Sequence, residues 1–72
     1  MPAIKSIDQR RRLLDVSQAV LCAEAGVAQS TYVRVKRGRV DPKEGTLEAL
    51  RAALDRLEFD RAAQRVVEGV GS

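Results

Sequence analysis

The fold is decided by residues 18–37, which read QAVLCAEAGVAQSTYVRVKR. Gly26 lies in the middle of this stretch, and a glycine can take the left-handed backbone conformation that ends a helix without a Cβ clash. On both sides of it, apolar residues three or four positions apart share a helical face. These residues are Leu21, Ala25, Tyr32 and Val35. The stretch therefore predicts two short helices joined by a tight turn.

The second helix of this pair carries a separate polar face. Four of its residues follow the spacing i, i+3, i+4 and i+7, which places them on one side of the helix, turned away from Tyr32 and Val35. They are Ser30, Val33, Arg34 and Arg37, and Gln29 flanks them. Val27 is placed to fill the angle between the two helices, and Cys22 is small enough to lie where they come closest. We expect the polar face to point outward, toward a partner.

At these positions the chain resembles the helix-turn-helix of the phage Cro and repressor class, the XRE family. Residues 26–38 read GVAQSTYVRVKRG and are similar to the run GVSQSTxSRIERG that is common in that family. The resemblance extends from about Ser6 to Leu57 and implies an all-α, compact four- to five-helix domain that is lambda-repressor-like. It also implies a transcriptional regulator, commonly a repressor, encoded by a bacterium or a phage. In two departures, Ala28 replaces the family's usual Ser or Thr, and Lys36 replaces its frequent acid.

Length and composition narrow the class of protein. Seventy-two residues form one small domain, close to the smallest size that folds without disulfides, a bound metal or oligomerisation. The single cysteine excludes an internal disulfide, and no apolar run has the length of a membrane span, which together indicate a soluble cytoplasmic protein. Because histidine is absent and Cys22 is expected to be buried without a base, the chain offers no catalytic, metal or cofactor site. We therefore expect a protein that is not an enzyme.

Charge is distributed unevenly along the chain. Residues 1–40 hold eight Lys or Arg against three acids, whereas residues 41–72 hold five against seven, within a net charge of +3. Because the basic half contains the predicted helix pair, a polyanion would be steered to that half. An ordinary solvated surface would carry the same charges, so charge alone does not assign nucleic-acid binding.

The first helix is predicted to follow a flexible arm, residues 1–5. Ser6 can cap this helix, which would run to about Asp15. Its expected apolar contacts are Ile7, Leu13, Leu14 and Val16. The three consecutive arginines at positions 10–12 cannot share one face, and an exposed helix surface is favoured for them over phosphate contact.

The last predicted helix begins after a loop. Gly38 ends the third helix, and the turn signal Asp41-Pro42 marks residues 39–45 as the loop. Thr46 then caps a helix whose stripe of leucines closes the core. The stripe consists of Leu47, Leu50, Leu54 and Leu57.

A second apolar stripe lies further along, out of phase with the leucines. It consists of Phe59, Ala63, Val66, Val67 and Val70. A monomer of this size has little core left to cover it, so residues 58–70 are interpreted as a possible dimerisation helix in a two-fold homodimer. The sequence allows two arrangements of this segment. One is a short fifth helix capped by Asp60, and the other is a single long helix whose apolar face rotates along its length. A fifth helix folded onto its own domain would remove the need for a dimer.

Side-chain chemistry and the resemblance together assign DNA contacts. A helix fits the major groove, where Gln can pair with adenine, Arg with guanine and an apolar side chain with the thymine methyl group. The expected base-reading residues are Gln29, Ser30, Val33 and Arg34. Phosphate contacts are expected at the start of the second helix, where unpaired amides attract anions, and beyond the base-reading turns. These residues are Ser17, Gln18, Lys36, Arg37, Arg39 and Lys43.

The predicted function is sequence-specific binding of double-stranded DNA by a homodimeric regulator that occupies an inverted repeat. The alternative is a protein-interaction module of the same fold, an antitoxin or antirepressor that binds a toxin or another regulator through its last helix. The face of Gln29, Arg34 and Arg37 argues against pure protein binding, because partner interfaces hold fewer charges at their centre. Both roles can coexist in one chain.

Overall fold

Four helices make up the part of the chain that the computed structural model describes, which is the backbone of residues 3–71 with side chains to Gln64. They are α1 (Ala3–Leu13), α2 (Gln18–Ala25), α3 (Gln29–Lys36) and α4 (Glu44–Gly71). The prediction of an all-α protein is confirmed. Nowhere in residues 3–71 does a helix combine the length and the apolar character that a bilayer crossing needs.

The first three helices end in the same way. Each is followed by a residue with positive φ, and these are Asp15 at 58°, Gly26 at 70° and Gly38 at 75°. At the end of α2, the amide of Gly26 donates to the carbonyl of Ala23 at 3.3 Å. The next amide, that of Val27, donates to the carbonyl of Cys22 at 2.9 Å. The other two ends have the same pair of hydrogen bonds, so all three are Schellman caps, and the predicted role of Gly26 is confirmed.

The helix starts divide into two that follow the sequence prediction and two that do not. Ser17 caps α2, because its hydroxyl accepts a hydrogen bond from the amide of Val20 at 3.1 Å. Ala28 leaves α3 without a side-chain cap, as its chemistry predicts. The two starts at α1 and α4 differ from the prediction.

The flexible arm predicted over residues 1–5 is wrong from Ala3 onward, since that residue already opens α1. Ile4 is buried in the core, and this burial extends the helix ahead of Ser6. Met1 and Pro2 lie outside the described residues. At the other end of the chain, α4 begins at Glu44, so Thr46 lies inside the helix instead of capping it. A carboxylate in the first turn favours that earlier start through the helix dipole.

The core lies between α4 and the three shorter helices. Its buried members are Ile4, Ile7, Leu21, Cys22, Tyr32, Val35, Leu47, Leu50, Ala53 and Leu54. The leucine stripe is thus confirmed, with Leu57 packed against its edge. Leu13 was expected to contact the core but is 79% exposed, because it lies on the opposite side of α1 from Ile4 and Ile7.

α4 is one uninterrupted helix of 28 residues, so the described chain has the long helix and not a fifth helix capped by Asp60. At 1.5 Å per residue it is about 42 Å long, and the longest dimension of the molecule is 48 Å. Its leucines cover the core in the first half, whereas Phe59 and Ala63 are exposed in the second half. The side chains of Val66, Val67 and Val70 lie outside the described residues.

Replacing Gly26 by Ala should destabilise the fold by about 1–2 kcal/mol, because an L-residue is strained in the left-handed conformation. A Cβ built at this position meets nothing within 4 Å, so backbone strain alone sets the effect. Gly45→Ala is the matched control, since Gly45 has equal space but lies in the first turn of α4. It should stabilise by up to about 1 kcal/mol. Urea unfolding followed by circular dichroism measures both variants, and equal effects would contradict the role of Gly26.

Candidate nucleic-acid interface

The polar side of α3 forms the wall of a shallow cleft at the protein surface. The cleft is lined by Gln29, Ser30, Val33, Arg34, Arg37 and Arg39. All four residues predicted to read bases are therefore brought together, with two of those predicted to hold phosphates. On the opposite side of α3, Tyr32 and Val35 are buried in the core. The helix is held by one face and presents the other to solvent.

Three arginines give this cleft, the α3 cleft, its positive charge. Arg34, Arg37 and Arg39 are exposed. Within the part of the chain whose side chains are described, none of the three forms an ion pair with a carboxylate. No acidic residue lines the α3 cleft either. Three neighbouring guanidinium groups in this setting attract a polyanion and keep their donors available for it.

A buried carboxylate anchors the other side of α3. Asp8 of α1 is 4% exposed. Its Oδ1 accepts hydrogen bonds from the hydroxyl of Tyr32 at 2.7 Å and from Nε of Arg11 at 3.0 Å. Arg11 also donates through Nη1 to the carbonyl of Val16 at 2.8 Å, which brings the turn before α2 into the same network. Asp8 therefore connects α1, α3 and that turn.

The second oxygen of Asp8 faces two more cations. Oδ2 lies 3.0 Å from Nη2 of Arg12 and 3.4 Å from Nζ of Lys36. Lys36, which is expected from the sequence to contact phosphate, points toward α1 because it lies one turn after Tyr32 on the same side of α3. It therefore pairs with Asp8 and does not line the α3 cleft.

The network sets the ionisation of its members. Burial has the largest influence on Asp8 and would raise its pKa, but hydrogen bonds from Tyr32 and Arg11 and the charges of Arg11 and Lys36 outweigh it. The pKa of Asp8 therefore lies below its ordinary value. Burial, followed by the bond to Asp8, raises the pKa of Tyr32 well above its ordinary value. At neutral pH, Asp8 is an ionised acceptor and Tyr32 a neutral donor.

A second cleft lies at the start of α2. It is lined by Arg11, Arg12, Asp15, Val16 and Ser17. The first amides of α2 have no helical partner, so Ser17 and the half-buried Gln18 stand where an anion would be attracted. Lys43 lies apart from both clefts, in a groove with Thr31 and Val40 on the far flank of α3.

Ion pairs between residues far apart in the sequence connect α1 and α2 to α4. Nη2 of Arg10 lies 2.9 Å from Asp55 and 2.8 Å from Glu58. Nε of Arg56 lies 2.9 Å from the carboxylate of Glu24. The exposed surface favoured for the three arginines of α1 is therefore wrong for Arg10 and for the more buried Arg11, whereas the side chain of Arg12 is 66% exposed. No sequence signal links partners that are 32 to 48 residues apart.

Part of the Asp8 network did leave a sequence signal. Arg11 and Arg12 follow Asp8 by three and four positions, which is the spacing of ion pairs on a helix. The link to Tyr32 spans 24 positions and has no such signal.

Comparison with known proteins assigns this arrangement to a class. The family model described as Helix-turn-helix matches residues 7–60, which include the whole of α2 and α3, and this class consists of DNA-binding regulators. The chain belongs to the helix-turn-helix family of Cro/repressor (XRE) type, which confirms the predicted resemblance and the lambda-repressor-like fold. No match to the chain was found among curated proteins or among solved structures.

Tyr32→Phe should lower the free energy of unfolding by about 1.5–3 kcal/mol at neutral pH, because it removes a buried hydrogen bond to a charged acceptor. Folding lowers the pKa of Asp8, so the ionised carboxylate stabilises the folded state. This stabilisation is present above the unfolded pKa of about 3.9 and is lost as the pH falls through the folded pKa. The deficit of Tyr32→Phe should therefore shrink in acid. Urea titrations at a series of pH values measure it.

The control for this experiment is Glu24→Gln, which removes a carboxylate from the partly exposed pair with Arg56. It should cost less than about 1 kcal/mol. A Tyr32→Phe deficit that stays constant down to about pH 2, below the usual range of carboxyl pKa values, would show that Asp8 does not act as the charged acceptor.

Proposed function

We propose that this protein is a sequence-specific regulator, acting as a repressor, that inserts α3 into the major groove of double-stranded DNA. The observation that carries the proposal is the α3 cleft, in which three arginines and the polar side of one helix face solvent together. The major groove is wide enough to admit an α-helix. Because Tyr32 and the Asp8 network hold the opposite side of α3, the helix can be presented to DNA without rearrangement.

Base recognition is assigned to the residues that line the α3 cleft along the helix. Gln29 can form two hydrogen bonds with adenine, and Arg34 can form two with guanine. Val33 is placed to contact a thymine methyl group, and Ser30 can bond a base or a phosphate. Each good bidentate pair discriminates against a wrong base by about 1–3 kcal/mol.

Phosphate contacts are assigned to both sides of the base-reading residues. Ser17 and Gln18 stand at the start of α2, beside a cleft that contains two arginines. Arg37 and Arg39 line the α3 cleft beyond the base-reading turns. Lys43 lies outside this cleft, on the far flank of α3. Contacts on two sides fix the orientation of a protein on the duplex without carrying sequence information.

The distal half of α4 is assigned to the contact with a second copy of the chain. Phe59 is 74% exposed, and Ala63, one turn further along, is exposed as well. Valines at positions 66, 67 and 70 continue the apolar spacing in the sequence. A two-fold contact between two such helices would bury this face and place two copies of α3 about 34 Å apart on an inverted repeat. A dimer bound there would block RNA polymerase.

Arg34→Ala should weaken binding to the preferred duplex by about 1–3 kcal/mol and relax base choice at one position. Lys43→Ala should instead weaken all sequences alike and flatten the salt dependence. The measurement is fluorescence anisotropy with a duplex selected from a random library and with its single-base variants. Equal weakening of every duplex by Arg34→Ala would contradict its base-reading role. No binding of any duplex at low salt would favour the protein-interaction module instead.

Phe59→Ser should convert a dimer into a monomer, because it removes the largest apolar side chain from the exposed face of α4. Val20→Ser is the matched control, since Val20 is also an exposed apolar residue but lies on α2. Sedimentation velocity of the full chain measures the mass of each variant. A wild-type protein that sediments as a monomer at high concentration would contradict the dimer.

A further inference from the structure

One charged surface remains unassigned. It runs along α1 to the C-terminal end of α3 and is lined by Lys5, Asp8, Gln9, Arg12 and Lys36. We propose that this surface, the α1 cleft, binds a backbone phosphate of the same DNA that α3 reads. Lys5, Arg12 and Lys36 would hold the phosphate. The proposal rests on the proposed DNA-binding function and adds a contact on a helix outside the helix-turn-helix.

The positive charges around Asp8 outnumber its single negative charge. Three cations share its single negative charge at distances of 3.0–3.4 Å, and they are Arg11, Arg12 and Lys36. Only 6% of the Asp8 side chain is exposed, so little of its charge reaches solvent. Lys5 brings a further positive charge to the α1 cleft. The cleft therefore presents a surplus of positive charge that an anion would neutralise.

The two oxygens of Asp8 have different partners. Oδ1 is held by Tyr32 and Arg11, so the link between α1 and α3 does not depend on Oδ2. Arg12 approaches Oδ2 through one nitrogen while 66% of its side chain is exposed. A guanidinium group has five donors, so Arg12 can keep Asp8 and still bind a phosphate. Lys36 forms the longer contact to Oδ2, at 3.4 Å, and has three donors.

The α1 cleft is continuous with a surface already assigned to DNA. Arg12 lines both the α1 cleft and the cleft at the start of α2, which contains Ser17. A duplex seated on α3 with a phosphate at Ser17 would therefore bring its backbone along the edge of α1. The residues lining the α1 cleft include no aromatic side chain on which a separate nucleotide could stack, which favours a backbone phosphate.

The test is the salt dependence of binding to the selected duplex for Lys5→Gln, for Arg12→Gln and for the double variant. Because the α1 cleft would hold one phosphate, its loss should flatten the slope of log K against log salt by about 0.9 in the double variant and by part of that amount in each single variant. Base preference should not change. Arg51→Gln is the matched control, because it removes one exposed positive charge from the first half of α4, outside the clefts assigned to DNA, and should leave the slope unchanged. Thermal unfolding of each variant checks that it is folded.

A second measurement locates the contact on the DNA. Single phosphates of the duplex are replaced by uncharged methylphosphonates, one position at a time. At one position in each half-site, the replacement should weaken the wild type but not the double variant. If Arg12→Gln fails to fold because Asp8 loses a partner, Lys5→Gln decides alone, since Lys5 forms no ion pair among the residues whose side chains are described.

The outcomes separate this inference from the proposed function. Slopes equal to that of Arg51→Gln, together with a loss of base choice in Arg34→Ala, would overturn the α1 contact and leave the proposed function standing. Failure of the wild type to bind any duplex would overturn both. Saturable binding of inorganic phosphate that Lys5→Gln abolishes, with an unchanged slope on DNA, would assign the α1 cleft to a free anion and overturn the DNA contact.

Discussion

The carboxylate of Asp8 is the constraint on which the position of the recognition helix, α3, depends. Removing such a group from water costs several kcal/mol, and each hydrogen bond from a charged or polar partner returns only about 1.5–3 kcal/mol. The hydrogen bonds from Tyr32 and Arg11 offset this cost, and together they leave the pKa of Asp8 below its ordinary value. The network also has a geometric effect, because the bond from Tyr32 forms only when α3 lies against α1.

This anchoring divides α3 into two sides with different roles. Tyr32 and Val35 contribute apolar surface to the core, and the remaining polar side carries the arginines. α4 is divided along its length instead, since its first half covers the core and its second half extends past it. One short chain thus separates the surface proposed for DNA from the surface proposed for a second copy.

Features governed by local backbone chemistry could be predicted from the sequence. The cap at Ser17, the left-handed Gly26 and the shared face of the residues proposed to read bases all depend on neighbours within one or two turns. The direction of Lys36 could not be predicted, because it depends on Asp8, which lies 28 positions earlier in the sequence and meets α3 only in the folded domain. The helical start at Ala3 could not be predicted either, because it depends on the burial of Ile4 in the core of the folded domain.

The missing cap at Ala28 has a consequence for how α3 meets a duplex. Without a side chain to accept from its first amides, the N-terminal turn of α3 is less stable by about 1 kcal/mol than a turn capped as α2 is by Ser17. Gln29 and Ser30 lie in this turn. Local opening there would show as fast amide hydrogen exchange, and ordering the turn against bases would carry an entropic cost. The two residues could in return adjust their side chains to more than one base pair, which would broaden the range of operators the protein accepts.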